Sequence, residues 1–357
     1  MTSATFARTD AFCTRFGIRL PILLAPMAGV PAPALSIAVG KAGGLGACGV
    51  LPMTPAEIAA WVDRVQAAGV RSVQLNTWIP DPPPRRDAEH EGRVRAFLER
   101  WGPPVPPGAG DAPAPDFRAQ FEAMLAARPP VISSVMGLYE GDQIAALKAN
   151  GIAWFATVTT VGEARMAAAA GADALVAQGA EAGGHRGTFD AASAERRMAG
   201  LVSLVPAVVD AVTVPVIATG GIADGRGAAA AFALGASAVQ IGTAFLRCPE
   251  SDLPAAWSDA LARTAPDDTM LTRAFSGRPG RSLATAYVTA AMSADAPEPA
   301  PYPIQRALTA PMRAAAVRDG DGDRMQAWAG QSAAISESMP AGDLVRHIWE
   351  GACELLK

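Results

Sequence analysis

The sequence predicts an α/β fold, a (β/α)₈ TIM barrel with an appended helical subdomain. Two observations lead to this prediction. Short apolar segments alternate with alanine-rich segments of helical period, which is the pattern of βα units and a parallel sheet. Eight such units fit into about 250 residues, the usual size of this barrel. A doubly wound open sheet is the alternative, because a strand count taken from one sequence is error-prone.

The eight predicted strands are short, apolar and bounded by turn residues. They cover residues 22–27, 46–50, 72–78, 131–136, 152–158, 172–177, 215–218 and 238–241. Helical segments are predicted between them. The helix after the second strand begins with Thr54, Pro55 and Glu57, a capping-box spacing with proline at the first helical position.

Two parts of the chain depart from this repeat. Residues 79–115 are rich in proline and predict a long loop with one helical piece at residues 89–99. The chain after Pro249 has helical stretches but no further strong strand. We therefore expect a barrel over residues 1–250 and a helical subdomain covering the active site over residues 251–320. Residues 321–357 would return to the barrel, with a last helix at about residues 324–356.

The composition is that of an ordinary globular protein. Half of the 357 residues are apolar, 18% are charged, and the net charge of −4 gives no reason to expect nucleic acid or a membrane surface as a partner. The four scattered cysteines contain no Cys-x-x-Cys pair, so we expect reduced thiols. The first residues lack the apolar region of a signal peptide, and no apolar stretch is long enough to span a bilayer. These features predict a cytoplasmic protein.

The most informative segment is the glycine-rich loop that holds His185. Residues 178–187 read QGAEAGGHRG and directly follow the sixth predicted strand. In a barrel this loop opens onto the face where active sites are built. A histidine there can act as a general base, because its pKa lies near working pH. No set of metal ligands surrounds His185 in the sequence apart from Glu181, so no metal site is predicted.

Glycines after the last two predicted strands suggest a phosphate site. Gly220 and Gly221 follow the seventh strand, and Gly242 and Thr243 follow the eighth. Glycine lets the backbone approach an anion closely, and a helix N-terminus presents free N–H groups. In TIM barrels these two loops frequently form the phosphate site.

Polar residues at other strand ends could hydrogen-bond a planar heterocycle. Asn76 and Gln178 end the third and sixth strands, and the backbone of Met27 could lie against a ring. For Gln240, an amide bonded inside the barrel is an equal alternative. Trp78 and Tyr139 lie near the same face and could wall a substrate pocket, although packing is the more common role of such residues.

Eight motifs together resemble the nitronate monooxygenase family, formerly called 2-nitropropane dioxygenase. The motifs are PILLAPMAG at 21–29, GGLG at 43–46, EAGGH at 181–185, ATGGIADG at 218–225, QIGTAF at 240–245, RAFSGRP at 273–279, YPIQ at 302–305 and WAGQ at 328–331. The glycine motifs alone are shared with other FMN barrels. The histidine loop combined with the C-terminal motifs is specific to the family.

The resemblance implies an FMN enzyme that converts alkyl nitronates and O₂ into a carbonyl compound and nitrite. It gives His185 the role of catalytic base or substrate-positioning group. It places the phosphate on four residues and the rest of the flavin on three. These are Gly220, Gly221, Gly242 and Thr243 for the phosphate, and Asn76, Gln178 and Gly183 for the isoalloxazine and ribityl portions; Met27 and Gln240 complete the predicted cofactor site.

One departure from the family pattern concerns the substrate. Many relatives carry a second histidine near the end of the fourth strand, where this chain reads SSVMG at 133–137. Similar barrels reduce quinones or enoyl thioesters with NAD(P)H, so such a reductase is the alternative function. A flavin-binding protein without catalytic activity is a third hypothesis. The sequence leaves open whether neutral nitroalkanes are used and whether the chain forms a homodimer.

Overall fold

The computed structural model describes residues 4–30, 32–111 and 115–357, and it confirms the TIM barrel. Eight parallel strands form the barrel in the hydrogen-bonded order β1-β9-β8-β6-β5-β4-β3-β2. They are β1 (Ile22–Leu24), β2 (Gly46–Gly49), β3 (Val73–Trp78), β4 (Val131–Val135), β5 (Ala153–Val158), β6 (Ala174–Gln178), β8 (Val216–Thr219) and β9 (Ala238–Ile241), with β7 (Gly184–His185) in a second sheet.

The barrel closes through Leu45, the residue that precedes β2. Leu45 pairs with Leu23 of β1, its N–H donates to Ile22 O at 3.1 Å, and Leu24 N–H donates back to Leu45 O at 2.9 Å. A sheet whose first and last strands are bonded to each other has no open edge. The open-sheet alternative is therefore wrong.

Fourteen α-helices are described, and most of them surround the barrel. They are α1 (Ala4–Phe16), α2 (Pro33–Ala42), α3 (Pro55–Ala67), α4 (Ala88–Leu98), α5 (Phe117–Ala127), α6 (Gly141–Ala149), α7 (Val161–Ala170), α8 (Leu201–Val209), α9 (Gly225–Ala233), α10 (Ala255–Arg263), α11 (Ala286–Ala291), α12 (Ile304–Leu308), α13 (Ala310–Asp319) and α14 (Ala341–Leu356). The predicted capping box of α3 is present, since Thr54 and Glu57 bond each other's backbone N–H groups. Among the described residues, no helix is both long and apolar enough to cross a membrane.

Helix α1, which the sequence analysis missed, packs at one end of the barrel core. Phe12 and Phe16 belong to the same buried cluster as Leu23 and Phe155, and the rings of Phe16 and Phe155 lie 4.8 Å apart. The site residues lie at the carboxyl ends of the strands, away from this packing. The helical piece predicted at residues 89–99 is confirmed as α4, whereas residues 112–114 of the proline-rich loop lie outside the described residues.

The prediction of no strand after Pro249 is wrong. Two short strands, β10 (Thr269–Thr272) and β11 (Gly280–Leu283), pair with each other, and β11 also pairs with β7. The sheet is antiparallel, and its second strand contains glycine, arginine and serine, so it lacks the continuous apolar run of the barrel strands. Its partner β7 lies about 95 residues earlier in the chain, a pairing that local sequence does not reveal.

The predicted start of the last helix near residue 324 is also wrong. Helix α14 begins after Pro340 and packs against α2 and α9 on the outside of the barrel. Residues 324–340 form an irregular segment with several turns and one short 3₁₀ helix, Ala333–Ile335. This segment crosses the mouth of the barrel. The division of the chain at residues 250 and 320 stays a prediction.

Candidate active site

A cavity of about 930 Å³ opens at the carboxyl ends of the barrel strands. This volume is at the upper end for small-molecule sites, so it has room for a cofactor together with a small substrate. Every residue that the sequence analysis placed in the site lines this cavity. They are His185, Met27, Asn76, Gln178, Gly183, Gly220, Gly221, Gln240, Gly242 and Thr243.

His185 is held in place by backbone contacts on both sides. It pairs with Gly280 of β11, which joins its loop to the small antiparallel sheet. Gln178, at the end of β6, bonds the loop with both ends of its amide. Its Nε2 donates to His185 O at 3.0 Å, and its Oε1 accepts from Gly187 N–H at 2.8 Å. The backbone that carries the imidazole is therefore held in one position at the cavity wall.

Two tryptophans and one serine surround the imidazole of His185. The ring centroids of Trp78 and Trp328 lie 4.6 Å and 4.8 Å from that of the imidazole. His185 Nε2 lies 2.7 Å from Ser276 Oγ, and Ser276 is only 1% exposed. Nδ1 has no hydrogen-bond partner among the described residues. One nitrogen of the ring is thus engaged by the protein, and the other is left for a ligand.

The surroundings of His185 favour its neutral form. Burial, the largest cause, and the positive charges of Arg278, Arg306 and Arg313 together lower the pKa of His185 to about 3. The imidazole is therefore uncharged at neutral pH. The sequence-based expectation of a base with a pKa near working pH does not agree with this environment.

Two arginines supply positive charge to the same cavity. Arg313 donates to Thr309 Oγ1, Gln326 Oε1 and Arg306 O, which are all uncharged acceptors. The side chain of Arg306 has no hydrogen-bond or carboxylate partner among the described residues. Burial and the neighbouring Arg306 lower the pKa of Arg313 to about 10, which leaves it charged at neutral pH. The cavity wall near His185 is therefore suited to an anion.

A third arginine, Arg278, has its own counter-ion and joins two segments of the chain. Both oxygens of Asp81 accept from Arg278 Nη1 at 3.0 Å, while Arg278 Nη2 donates to Thr188 O at 2.9 Å. Arg278 is 2% exposed, so this pair joins the proline-rich segment to the loop that carries Ser276. Its charge is balanced by Asp81, whereas Arg306 and Arg313 have no counter-ion in the part of the chain that the structure describes.

The glycines of the predicted phosphate site line the same cavity, next to the base of the histidine loop, since a Cβ at Gly220 would lie 3.0 Å from Ala182 N. Gly220 and Gly221 have φ values of +116° and +68°, the left-handed region that side chains rarely adopt. Asp224 caps the helix that follows by accepting from Gly227 N–H at 3.0 Å. After β9, however, Gly242 is followed by a 3₁₀ helix, Thr243–Arg247, and not by an α-helix. Thr243 Oγ1 accepts from Gly330 N–H at 3.0 Å, so this wall also contacts the crossing segment.

The structure explains why residue 183 is glycine, which the sequence did not show. A Cβ atom at this position would lie 2.4 Å from Gly330 N and 2.5 Å from Ala329 C. The segment before α14 thus packs directly on the histidine loop. Glu181 braces the same loop, because its carboxylate accepts from Leu201 N–H at 2.8 Å and its backbone O accepts from Gln331 N–H at 3.0 Å.

Two amides at the bottom of the cavity retain free hydrogen-bonding groups. Asn76 Nδ2 donates to Ser133 Oγ at 3.0 Å, and Gln240 Oε1 accepts from Gln74 Nε2 at 3.0 Å. Asn76 Oδ1 and Gln240 Nε2 have no partner among the described residues. One acceptor and one donor therefore remain for a bound molecule. For Gln240 both predicted roles are present, because its amide bonds Gln74 inside the barrel and also lines the cavity.

The sequence analysis missed the functional residues of the C-terminal part of the chain. Trp328, Ser276, Arg306 and Arg313 were not assigned to the site, although the first three lie in or beside motifs that carried the family resemblance. Trp78 lines the cavity, as one of its two interpretations held. Tyr139 lies outside it: the ring packs against Phe121, and the hydroxyl donates to Ser133 O at 3.1 Å.

Comparison with known proteins gives the family. A model of the nitronate monooxygenase family matches residues 11–351. The chain belongs to the nitronate monooxygenase family. It is 38% identical to the nitronate monooxygenase of Paraburkholderia phytofirmans, over 98% of this chain and 96% of that protein. It is 37% identical to the nitronate monooxygenase of Pseudomonas aeruginosa, over 96% of this chain and 99% of that protein.

Solved structures agree with this family and also show a wider relationship. The nitroalkane oxidase of Streptomyces ansochromogenes superposes with a TM-score of 0.86 at 36% identity, covering 98% of both chains. FabK from Thermotoga maritima superposes with a TM-score of 0.74 at 28% identity, covering 97% of this chain and 96% of that one. Nitronate monooxygenases are generally flavin-dependent oxidoreductases.

Proposed function

We propose that this nitronate monooxygenase family member uses FMN to oxidise alkyl nitronates with O₂, releasing a carbonyl compound and nitrite. One observation carries the proposal. A neutral histidine contacts two tryptophans in a cavity where, among the described residues, Arg306 and Arg313 have no carboxylate partner. This wall fits a small anion with an apolar chain, which is what an alkyl nitronate is.

The glycine-lined part of the cavity fits a flavin phosphate and ring. Gly220 and Gly221 present backbone in a conformation that brings N–H groups close to an anion, and Gly242 and Thr243 lie beside them. At the bottom of the cavity, Asn76 Oδ1 and Gln240 Nε2 offer the acceptor and the donor that the edge of an isoalloxazine requires. Bound FMN would supply the redox chemistry with O₂ that protein side chains do not provide.

In this proposal each wall has a separate task. Met27 and Gly183 line the same cavity as the phosphate-site glycines, and Gln178 fixes the backbone of His185. Arg306 and Arg313 hold the two oxygens of the nitronate by charge-assisted hydrogen bonds. Trp78 and Trp328 exclude water from the imidazole. In balance, two nitronates and one O₂ give two carbonyl compounds and two nitrite ions. Each nitronate carbon gains one oxygen atom as its bond to nitrogen breaks and nitrite leaves.

The low pKa of His185 selects between two forms of the substrate. Removing a proton from a neutral nitroalkane needs a base whose conjugate acid has a pKa near the working pH. His185, with its pKa lowered to about 3, is too weak for that step. Preformed nitronates are therefore the proposed substrates, and neutral nitroalkanes are expected to react slowly.

The alternative is an NAD(P)H-dependent reductase, the reaction of similar barrels, and the chain also superposes on FabK. The two proposals differ in the electron donor. A reductase takes electrons from NAD(P)H and passes them to a quinone or enoyl thioester. A nitronate monooxygenase takes them from the nitronate itself.

The experiment measures O₂ uptake and nitrite release together, using FMN-loaded protein and propyl-1-nitronate. We expect both signals in the wild type and a large loss of both in His185→Gln. His347→Gln, on the exposed face of α14, is the matched control and should retain the wild-type rates. If the wild type takes up no O₂ and releases no nitrite from any short nitronate, the proposed function is wrong.

A further inference from the structure

The hydrogen bond between His185 and Ser276 can exist in two forms with opposite consequences for the cavity. Either Nε2–H donates to Ser276 Oγ, or the Ser276 hydroxyl donates to an unprotonated Nε2. In the first form Nδ1 carries a lone pair, which suits a base. In the second form Nδ1 carries the proton, which suits a hydrogen-bond donor. Because Nδ1 is the nitrogen left for a ligand, the form of this bond decides what His185 can do.

The distances around Ser276 Oγ distinguish the two forms. The Nε2–Oγ distance of 2.7 Å is the usual length of a bond donated by a hydroxyl, and it lies at the short limit of N–H···O bonds, whose range is about 2.7–3.2 Å. If Nε2–H were the donor, the serine proton would go to its other nearby acceptor, Arg278 O. That oxygen is 3.2 Å away, beyond the ordinary range of about 2.5–3.0 Å for O–H···O bonds. The Ser276 hydroxyl therefore donates its proton to His185 Nε2 and not to Arg278 O.

Ser276 is also held so that its lone pairs and proton have fixed directions. Arg278 N–H donates to Ser276 Oγ at 3.3 Å, which uses a lone pair and leaves the hydroxyl proton for Nε2. The turn that carries Ser276 is closed by Ser276 N–H and Gly277 N–H, both donating to Arg273 O at 3.2 Å and 2.8 Å. Gly277 has a φ of +84°, and a Cβ there would lie 2.3 Å from Ala300 O, so the turn has little freedom.

We propose that Ser276 is a positioning residue that fixes His185 as the Nδ1–H tautomer, so that His185 offers a hydrogen-bond donor to an anionic substrate. This inference rests on the proposed function only for the identity of the anion. A nitronate has acceptor oxygens and no N–H or O–H group, so a ring nitrogen with a lone pair would repel it. A donor at Nδ1 complements Arg306 and Arg313. The hydrogen bond from Ser276 to Nε2 also favours the neutral imidazole, in agreement with its lowered pKa.

The tautomer can be measured directly because the chain contains only three histidines, His90, His185 and His347. In a His90→Gln, His347→Gln background, only His185 carries a ¹⁵N-histidine label. We expect two-bond ¹H–¹⁵N correlation spectra of the FMN-loaded protein at pH 7 to show a protonated Nδ1 and an unprotonated Nε2. A protonated Nε2 would overturn the proposal.

Three serine variants separate tautomer control from a general structural effect. Ser276→Ala should lose the strict Nδ1–H pattern, and Ser276→Thr, which keeps the hydroxyl, should retain it. Ser282→Ala removes an equally buried hydroxyl from β11 that donates to Ala327 O at 2.9 Å, so it is the matched control and should retain the wild-type pattern. An unchanged tautomer in Ser276→Ala would also overturn the proposal.

A kinetic measurement adds a functional readout. With propyl-1-nitronate, Ser276→Ala should raise KM about tenfold or more, as expected for weakening a hydrogen bond to a charged group, and Ser276→Thr should restore most of the loss. An unchanged KM in Ser276→Ala would contradict the proposed role. If the wild-type protein is inactive with nitronates, the proposed function fails, while the NMR spectra still decide the tautomer.

Discussion

Acidification provides a quantitative test of the environment of His185. The pKa of His185 is lowered from 6.5 to about 3 in the folded protein. In the unfolded chain the same side chain takes up a proton as the pH falls below about 6.5. A group with a lowered pKa in the folded state therefore stabilises the fold above 6.5, and this contribution is lost as the pH falls toward the folded pKa.

The size of the effect follows from the two pKa values. Between pH 7 and pH 5, linkage gives a loss of about 2 kcal/mol in the free energy of unfolding from this one residue. His185→Gln removes the titrating group and keeps a polar side chain. The wild type should therefore lose about 2 kcal/mol more stability than His185→Gln over this pH range, because every other titrating group is common to both proteins.

The assay is urea unfolding of the two proteins at pH 7 and pH 5, followed by far-ultraviolet circular dichroism. Circular dichroism is preferred to tryptophan fluorescence because Trp78 and Trp328 contact the substituted side chain. Equal losses of stability in the two proteins would show that His185 titrates normally in the folded state. That result would refute the account of its burial and of its neutral form.

Three further predictions concern the loop, the substrate charge and the framework. Gly183→Ala should destabilise the protein by about 1–3 kcal/mol and lower its activity, because the added Cβ would lie 2.4 Å from neighbouring backbone. Gly184→Ala has open space but a φ of +74°, and it should lower the free energy of unfolding by about 1–2 kcal/mol in thermal unfolding. Equal activity of Gly183→Ala and the wild type would contradict the packing argument. Arg306→Gln should raise KM for propyl-1-nitronate about tenfold or more, with a smaller change in kcat; an unchanged KM would remove Arg306 from the substrate site. Asp81→Asn should lower the free energy of unfolding by about 3 kcal/mol or more, because it leaves the buried charge of Arg278 unpaired; a loss below about 1 kcal/mol would show that this charge is solvated.

Much of the barrel could be predicted because its signals are local. Each barrel strand is a short apolar run, and turn residues such as Gly171 and Gly235, both with positive φ, separate the runs from the helices. The glycines after β8 and β9 were recognised for the same reason. A strand buried on both faces and a turn that needs glycine are visible within ten residues of sequence.

The roof of the cavity could not be predicted because its structure depends on distant partners. Strand β11 forms against β7 and against Trp328, which pairs with Ser282. Its residues are partly polar and show neither strand nor helix periodicity. The segment before Pro340 is irregular and packs on Gly183, a contact made across about 150 residues of chain. Only the folded barrel brings these segments together.

In the candidate site too, local features were predictable and those that depend on distant contacts were not. His185 stood out because of its glycine-rich loop, and all ten predicted residues line one cavity. The state of the histidine did not follow from the sequence, since its low pKa comes from burial together with Arg278, Arg306 and Arg313. Gln178 is a further example: both ends of its amide bond the loop, a role that its position at a strand end did not reveal.

The most direct test of the central claim is the electron donor of the flavin. FMN-loaded protein is mixed in an anaerobic stopped-flow instrument with propyl-1-nitronate and, separately, with NADH, and the flavin absorbance is followed. The account predicts a rapid change with the nitronate and slow or absent bleaching with NADH. Rapid bleaching by NADH with no response to the nitronate would contradict it and identify the protein as a reductase.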